Sequence, residues 1–549
     1  MKYAKIVLCG GFCISGSQTK SLTTKPEKRF RFDHFLLRVE KIIADKKIGR
    51  VLIECKNDFY FRLYSGAEEL REQFERLRKA GKEVVFYSSS YETLQLFISS
   101  ACSRRILHPL GTLSFLGLSR SFLFFKGAME KYGFTAEVIR RGRYKSAADP
   151  FRTDRLDREN EEQYKRFFES VMEELRLSTA EGLGKSAEEM QRLLDGEILD
   201  AESARSEGWI HEVETLKSIE ERWKKEEKVK RKKLKRLGRS YGKGRSKIAV
   251  LMFEGAIVDG KTKKHPLFGQ AIGADSFVPH IEKLIKEKRV KGVVLLVNSG
   301  GGSATASEDI LDPLKRLKEK KPLVVSMSDV AGSGGYWIAC AAERLFVRKT
   351  SLTGSIGVIM MFLGIRNFLR RYGVTEDSIR TAPHADLGSP YRSVTEKERK
   401  MVDGVIEGIY EKFIHRVASF RDMEKGEIQN LAGGRVWSGS DAVTRGLADE
   451  LGGLEKAVEY LKSKLELEKT RVVFYPEIKK SFIEKKLSKA AGGARLSELD
   501  ASITPSKLEA GLGLFGFDLT GLEQGRGETI SHKPLVLMPE YITMQLVRE

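Results

Sequence analysis

A chain of 549 residues has room for roughly three to four domains of ordinary size, and a content of 41% hydrophobic and 32% charged residues excludes global disorder. Its longest apolar runs, such as Ile248–Phe253 and Val358–Leu363, fall far short of the ~18–20 residues that a bilayer span needs. The net charge of +21 is uneven: Lys217–Lys247 holds 15 Lys and Arg against 4 Glu, the mark of a solvated helix or linker rather than of a basic nucleic-acid surface. Attraction to anionic lipid, as a peripheral membrane contact, is the second reading of that segment, and no nucleic-acid partner is expected.

In chain order, Lys2 and Lys5 precede an apolar segment, Ile6–Ser15, broken by Gly10 and Gly11. It is short for a signal peptide and has no small-residue cleavage site, so it is expected to form a first strand. Val51–Cys55 and Val84–Tyr87 read as buried strands separated by helical periodicity, and the pattern returns at Val293–Val297 and Leu323–Ser326. Arg471–Tyr475 is strand-like, and a last apolar run, Pro534–Met538, carries no evident role. The five cysteines form no CxxC pair and read as buried free thiols, which suits a reducing compartment. The eight histidines form no HxxxH or HExxH pair, so neither a metal nor a cofactor is expected.

The chain repeats itself. Residues 131–152 (KYGFTAEVIRRGRYKSAADPFR) match 371–392 (RYGVTEDSIRTAPHADLGSPYR) at an offset of 240, from Tyr132/Tyr372 to Arg152/Arg392. AKIVLCGGFCISG at 4–16 echoes SKIAVLMFEGAIVDG at 246–260, and Gly196 and Gly208 match Gly434 and Gly446 at an offset of 238. A period this long suits two copies of one α/β domain rather than a solenoid. The expected layout is a first copy over 1–216, a basic linker over 217–246, a second copy over 247–465 and a C-terminal extension over 466–549.

The copies differ in their chemistry. In the second copy a strand runs into NSGGGSATASE (298–308), whose glycines leave backbone N–H groups open to an anion or oxyanion. The next strand runs into DVAGSGGYWIACAA (329–342), where Ser333 stands between glycines at the start of a helix, the strand-to-helix presentation that activated serines use. SLTGSIGV (351–358) is a third glycine-rich turn. At the matching places the first copy has Lys56–Phe59, Thr93 and GTLSFLG (111–117), so it has lost all three. It owns Lys145 instead, where the second copy has Ala385. A serine needs a base, no His/Asp pair presents itself around Ser333, and a buried lysine whose pKa drops from ~10.4 toward neutrality can serve. Arg141 and Arg143 would add positive potential beside it. Taken singly, a Ser-Gly-Gly turn is more often a packing device and a lysine more often a surface residue. The complementary loss is what pairs them.

With RRGRYKSAADPF (140–151), VNSGGGSATASE (297–308), DVAGSGGYWIACAA, SLTGSIGV and GGRVWSGSDAVTRGLADELGG (433–453), the chain resembles the signal peptide peptidase A (protease IV) family in its long, tandem-domain form, from about residue 4 to 465. The resemblance implies an α/β fold of two tandem ClpP/crotonase-like domains and a Ser/Lys-dyad serine endopeptidase that degrades released signal peptides and other short or unfolded chains. Carried over by position, Ser333 is the nucleophile, Lys145 the general base, Gly334 and Gly301 the oxyanion-hole donors, and Ser355 the residue that orients the lysine. Gly300 stands where the family usually has proline, which leaves the N–H donors in place. The resemblance also implies a homo-oligomer, with four copies the favoured number. Many members carry an N-terminal membrane anchor that this sequence does not show; the expectations are a cytoplasmic location, a peripheral inner-membrane location held by the basic segment, or a true start that lies upstream. The competing readings are a crotonase-type acyl-CoA enzyme, which gives Ser333 and Lys145 no natural place, and an inactive assembly scaffold, which predicts no covalent adduct at Ser333.

Overall fold

The computed structural model describes residues 1–15, 29–234, 238–262, 264–265 and 269–476, together with the strand Leu535–Val536. Buried runs of Val, Ile and Leu, too apolar to face water on either side, make parallel sheets covered by helices. In the first copy the strands Lys2–Leu8, Ile48–Cys55, Glu83–Ser88, Arg104–Leu107 and Glu212–Val213 pair in parallel. In the second copy Ser246–Glu254, Val290–Ser299, Leu323–Gly332, Arg344–Val347 and Glu450–Leu451 repeat that order, again all parallel. The sequence repeat is thus a structural one.

Two segments without an assigned fold role complete the sheets. From the basic region, Lys230–Arg231 adds an edge strand beside Lys2–Tyr3, and the helix Leu216–Lys225 buries Ile219 and Trp223, with Trp223 edge-on to Tyr3 at 5.0 Å. Beyond the second copy, Thr470–Tyr475 pairs in parallel with Ser246–Leu251. Of the run Pro534–Met538 only Leu535–Val536 lies within the described residues; it pairs antiparallel with Gly302–Ser303 on one side and with Ile359 on the other.

Each copy has one long helix, Arg158–Leu183 and Glu396–Arg421, both of 26 residues. The first opens on Asp157, whose carboxylate accepts from Asn160 N, and ends at Gly184 in the left-handed conformation. The second opens on a Thr395/Glu398 capping box.

One of the apolar cores spans both copies. A continuous apolar cluster runs from Ala4, Ile53 and Phe86 in the first sheet to Val324, Phe346 and Leu461 in the second half. Polar ties cross the same boundary: Arg348 forms a two-pronged ion pair with buried Glu69, and Glu254 accepts from the backbone of Ile14 and Ser15. The tie that matters most for position is a strand exchange. Thr135–Arg141 of the first copy leaves its own sheet and pairs antiparallel with Val358–Gly364 of the second, Val358 against Arg141 through to Gly364 against Thr135. This pairing carries the residues after Arg141 into the other copy.

Candidate active site

Ser333 stands between the strand Leu323–Gly332 and the helix Gly334–Ala339 with φ 56° and ψ −120°, a conformation L-residues rarely adopt and one that costs on the order of 1–3 kcal/mol. Its N–H donates to Gly354 O at 2.8 Å and its carbonyl accepts from Trp337 N at 2.8 Å, so both backbone sides of the turn are anchored. The flanking glycines permit close approach: a Cβ on Gly335 would sit 2.4 Å from Ser299 O, and one on Gly334 would sit 2.6 Å from Ser307 Oγ. Larger residues would push the elbow away from the glycine loop. Upstream on the same strand, buried Asp329 accepts from Ser65 Oγ (2.9 Å) and Gly66 N (3.0 Å) of the first copy, and burial pushes its pKa up.

Lys145 reaches this elbow within a single chain. Its Nζ lies 2.6 Å from Ser333 Oγ, 2.9 Å from Ser355 O and 2.9 Å from Ser355 Oγ. All three residues are 0% exposed. Ser355 is itself at φ 51°, with its N–H held by Arg435 O at 2.7 Å, so the residue that receives the lysine is strained and braced like the serine. The three oxygens at these distances belong to two hydroxyls and a peptide carbonyl.

The cation nearest the lysine backbone is Arg140, which donates to Lys145 O at 3.0 Å and pairs with Asp149. Arg141, expected to add potential beside the amine, is instead paired with Asp403 and Glu407, and Arg143 lies over the Tyr144 ring. Gly334 N–H, as the first residue of its helix, has no intrahelical acceptor. Gly301 lies against it, with its Cα 3.2 Å from where a Gly334 Cβ would stand, but Gly301 N–H donates to Ser299 Oγ at 3.1 Å. Ser299 Oγ in turn donates to Gly255 O at 2.7 Å and so buckles the loop.

The geometry therefore brings Ser333, Lys145, Ser355, Gly334 and Gly301 into one locus. The sequence motifs gave no separate role to several structural partners. Gly433 and Gly434 pack backbone to backbone on the lysine loop, with Tyr144 N donating to Gly433 O at 2.9 Å. Their Gly-Gly pair is a visible signal. Ser299, Asp149 and Gln163 leave none that isolated residue types reveal.

Two parallel-sheet repeats that share one buried Ser/Lys contact define a tandem α/β protein. The model of peptidase family S49 matches residues 76–230 and 315–468, more than half of the sequence, and the chain belongs to that family. Among its relatives, serine protease SPPA of the Arabidopsis thaliana chloroplast is 30% identical over 75% of this chain and 62% of its own length. Protease 4 of Haemophilus influenzae is 29% identical over 69% and 64%, and protease 4 of Salmonella typhi 28% identical over 79% and 72%. The chain thus spans less than two thirds of the first two. A ClpP1 variant from Listeria monocytogenes overlaps 38% of this chain and 94% of its own at 14% identity, with a TM-score of 0.24.

Proposed function

We propose that this chain is a serine endopeptidase in which Ser333 attacks the peptide carbonyl and Lys145 acts as general base. The observation that carries the reading is the 2.6 Å contact between Lys145 Nζ and Ser333 Oγ, both fully buried and both on braced backbone. A neutral amine has two N–H groups and one lone pair. With the N–H groups on Ser355 O and Ser355 Oγ, the lone pair faces the Ser333 hydroxyl and takes its proton as the C–O bond forms. The lysine then protonates the leaving amine, and a water activated by the same amine releases the acyl group. Gly334 N–H faces the developing oxyanion. Gly301 N–H joins it by turning from Ser299 Oγ, each donor contributing ~2.7–4 kcal/mol.

Peptide substrates are supported by the strand Leu535–Val536, an extended segment paired between Gly302–Ser303 and Ile359 beside the elbow. Backbone pairing of that kind holds an extended chain whatever its side chains, which suits signal peptides and other short or unfolded polypeptides. Assembly into a homo-oligomer, with four copies favoured, is supported by exposed Tyr372, Val374 and Ile379, apolar surface that another copy would cover. No helix among the described residues is long and apolar enough to cross a membrane.

The test is hydrolysis of unfolded casein by the wild type, Ser333→Ala and Lys145→Ala. Both variants are expected to lose turnover by at least a thousandfold. Undiminished cleavage by either refutes the assignment.

A further inference from the structure

The lysine sits on a loop, residues 142–148, outside any helix or strand, yet its amine must hold a fixed place to within a fraction of an ångström. Gln163, on the first-copy helix Arg158–Leu183, supplies the missing rigidity. Its side-chain amide is buried and committed at both ends: Nε2 donates to Tyr144 O at 3.2 Å, and Oε1 accepts from Val436 N at 3.0 Å. Nε2 is also fixed by Asn160 Oδ1 at 2.5 Å, and Asn160 Nδ2 donates to Asp149 at 2.8 Å.

The connections close into a ring. Val436 follows Arg435, whose carbonyl holds Ser355 N; Ser355 receives the Lys145 amine; and Lys145 follows Tyr144, whose carbonyl returns to Gln163. One amide therefore joins the peptide before the lysine to the peptide before the strand Val436–Ser438, and so couples the base to the residue that orients it.

The internal repeat supplies a control. In the second copy the same helix position, at the offset of 238 that relates Asn160 to Glu398, is Met401, which is 46% exposed. Glu398 ties to Arg392 as Asp149 ties to Arg152 in the first copy, so the arginine–carboxylate cluster at the helix start belongs to both copies. The bridging amide belongs to the copy that holds the lysine.

We propose that Gln163 is a positioning residue for the peptidase reaction: it acts through the Tyr144 carbonyl and Val436 N–H to hold Lys145 against Ser333. The proposal rests on the Ser/Lys reading above. Two substitutions test it. Gln163→Met keeps the volume and removes all three hydrogen bonds of the amide. Gln163→Glu keeps the acceptor for Val436 N–H and removes the Nε2 donor to Tyr144 O and Asn160 Oδ1. In each, kcat on a fluorogenic peptide is expected to fall about 10- to 100-fold with KM within twofold, because the loss is in the geometry of proton transfer and not in substrate contact. The ascending limb of the kcat–pH profile is expected to move to higher pH as a loosened amine gains access to water. A merely structural role would lower the melting temperature and leave both readouts at their wild-type values. A folded Gln163→Glu or Gln163→Met with wild-type kcat and pH profile overturns the proposal. Lys145→Ala in the same assay separates the two claims: if it turns over normally, the dyad reading fails as well, whereas if it is inactive while the Gln163 variants are normal, only this inference fails.

Discussion

Replacing Gly434 by alanine perturbs the lysine without touching any reacting group. Gly434 is at φ +80°, and an added Cβ would lie 2.6 Å from both N and Cβ of Lys145 and 2.7 Å from its Cα. Ordinary contact begins near 3.4 Å, so the two backbones must part by roughly 0.8 Å. The Nζ–Oγ contact of 2.6 Å then opens to about the limit of a hydrogen bond. A misplacement of about 1 Å at a reacting group costs on the order of 100-fold in rate. The backbone strain of a left-handed alanine adds ~1–2 kcal/mol of destabilisation, which is a separate effect. Gly184→Ala isolates it: that glycine is at φ +67° with nothing within 4 Å of its added Cβ. The assay is casein hydrolysis and urea unfolding on both variants. Gly434→Ala is expected to lose about two orders of magnitude in kcat, while Gly184→Ala loses comparable stability and keeps full activity. Equal activity in the two would refute the idea that backbone contact at Gly434 places the base.

Two further predictions concern the boundary between the copies and pH. Arg348→Met strands Glu69 in the interior without its two-pronged partner and is expected to cost ~3–5 kcal/mol in urea unfolding; adding Glu69→Leu recovers most of that loss. Burial raises Glu455 from its ordinary 4.5 to about 7, so the folded state holds its proton more tightly and stability falls as pH rises from about 4.5 through about 7. Glu455→Gln removes this penalty while Arg76 keeps its pair with Glu40 at 2.5 Å. The variant should therefore gain ~3 kcal/mol on the wild type between pH 5 and pH 8, read from unfolding curves at each pH, and a constant difference contradicts the assignment.

What was legible in the sequence follows from what is local. Val51–Cys55 and Val293–Val297 announce strands because burial on both faces leaves an unbroken apolar run, and both lie inside observed strands. The pairing of Ser333 with Lys145 was legible because duplication made each copy a reference for the other. Long-range partners leave no such trace. The clearest example is the best-matched stretch of the repeat, in which 135–141 and 375–381 share Thr, Ile and Arg at matching positions, yet only the first is a strand. It has Val358–Gly364 to pair with, whereas 374–380 pairs with no strand among the described residues and lies exposed. Tertiary context and the exchange of Val138 for Ser378 together separate the two segments. Gln163 was illegible for a related reason, since a lone glutamine on an amphipathic helix gains meaning only when two backbone partners from distant segments arrive at its ends. The basic segment hid its fold role likewise, because the buried Ile219 and Trp223 are outnumbered by surrounding lysine and arginine.

The division of one proton-transfer couple between two copies is tested most directly by the mass of the protein after exposure to a fluorophosphonate, compared between wild type and Lys145→Met. The wild type is expected to gain one adduct, mapped by peptide sequencing to Ser333, and the Met variant, with its volume kept and its amine gone, to react at least a hundredfold more slowly. Labelling of the Met variant at the wild-type rate, or an adduct on any other residue, would contradict the account.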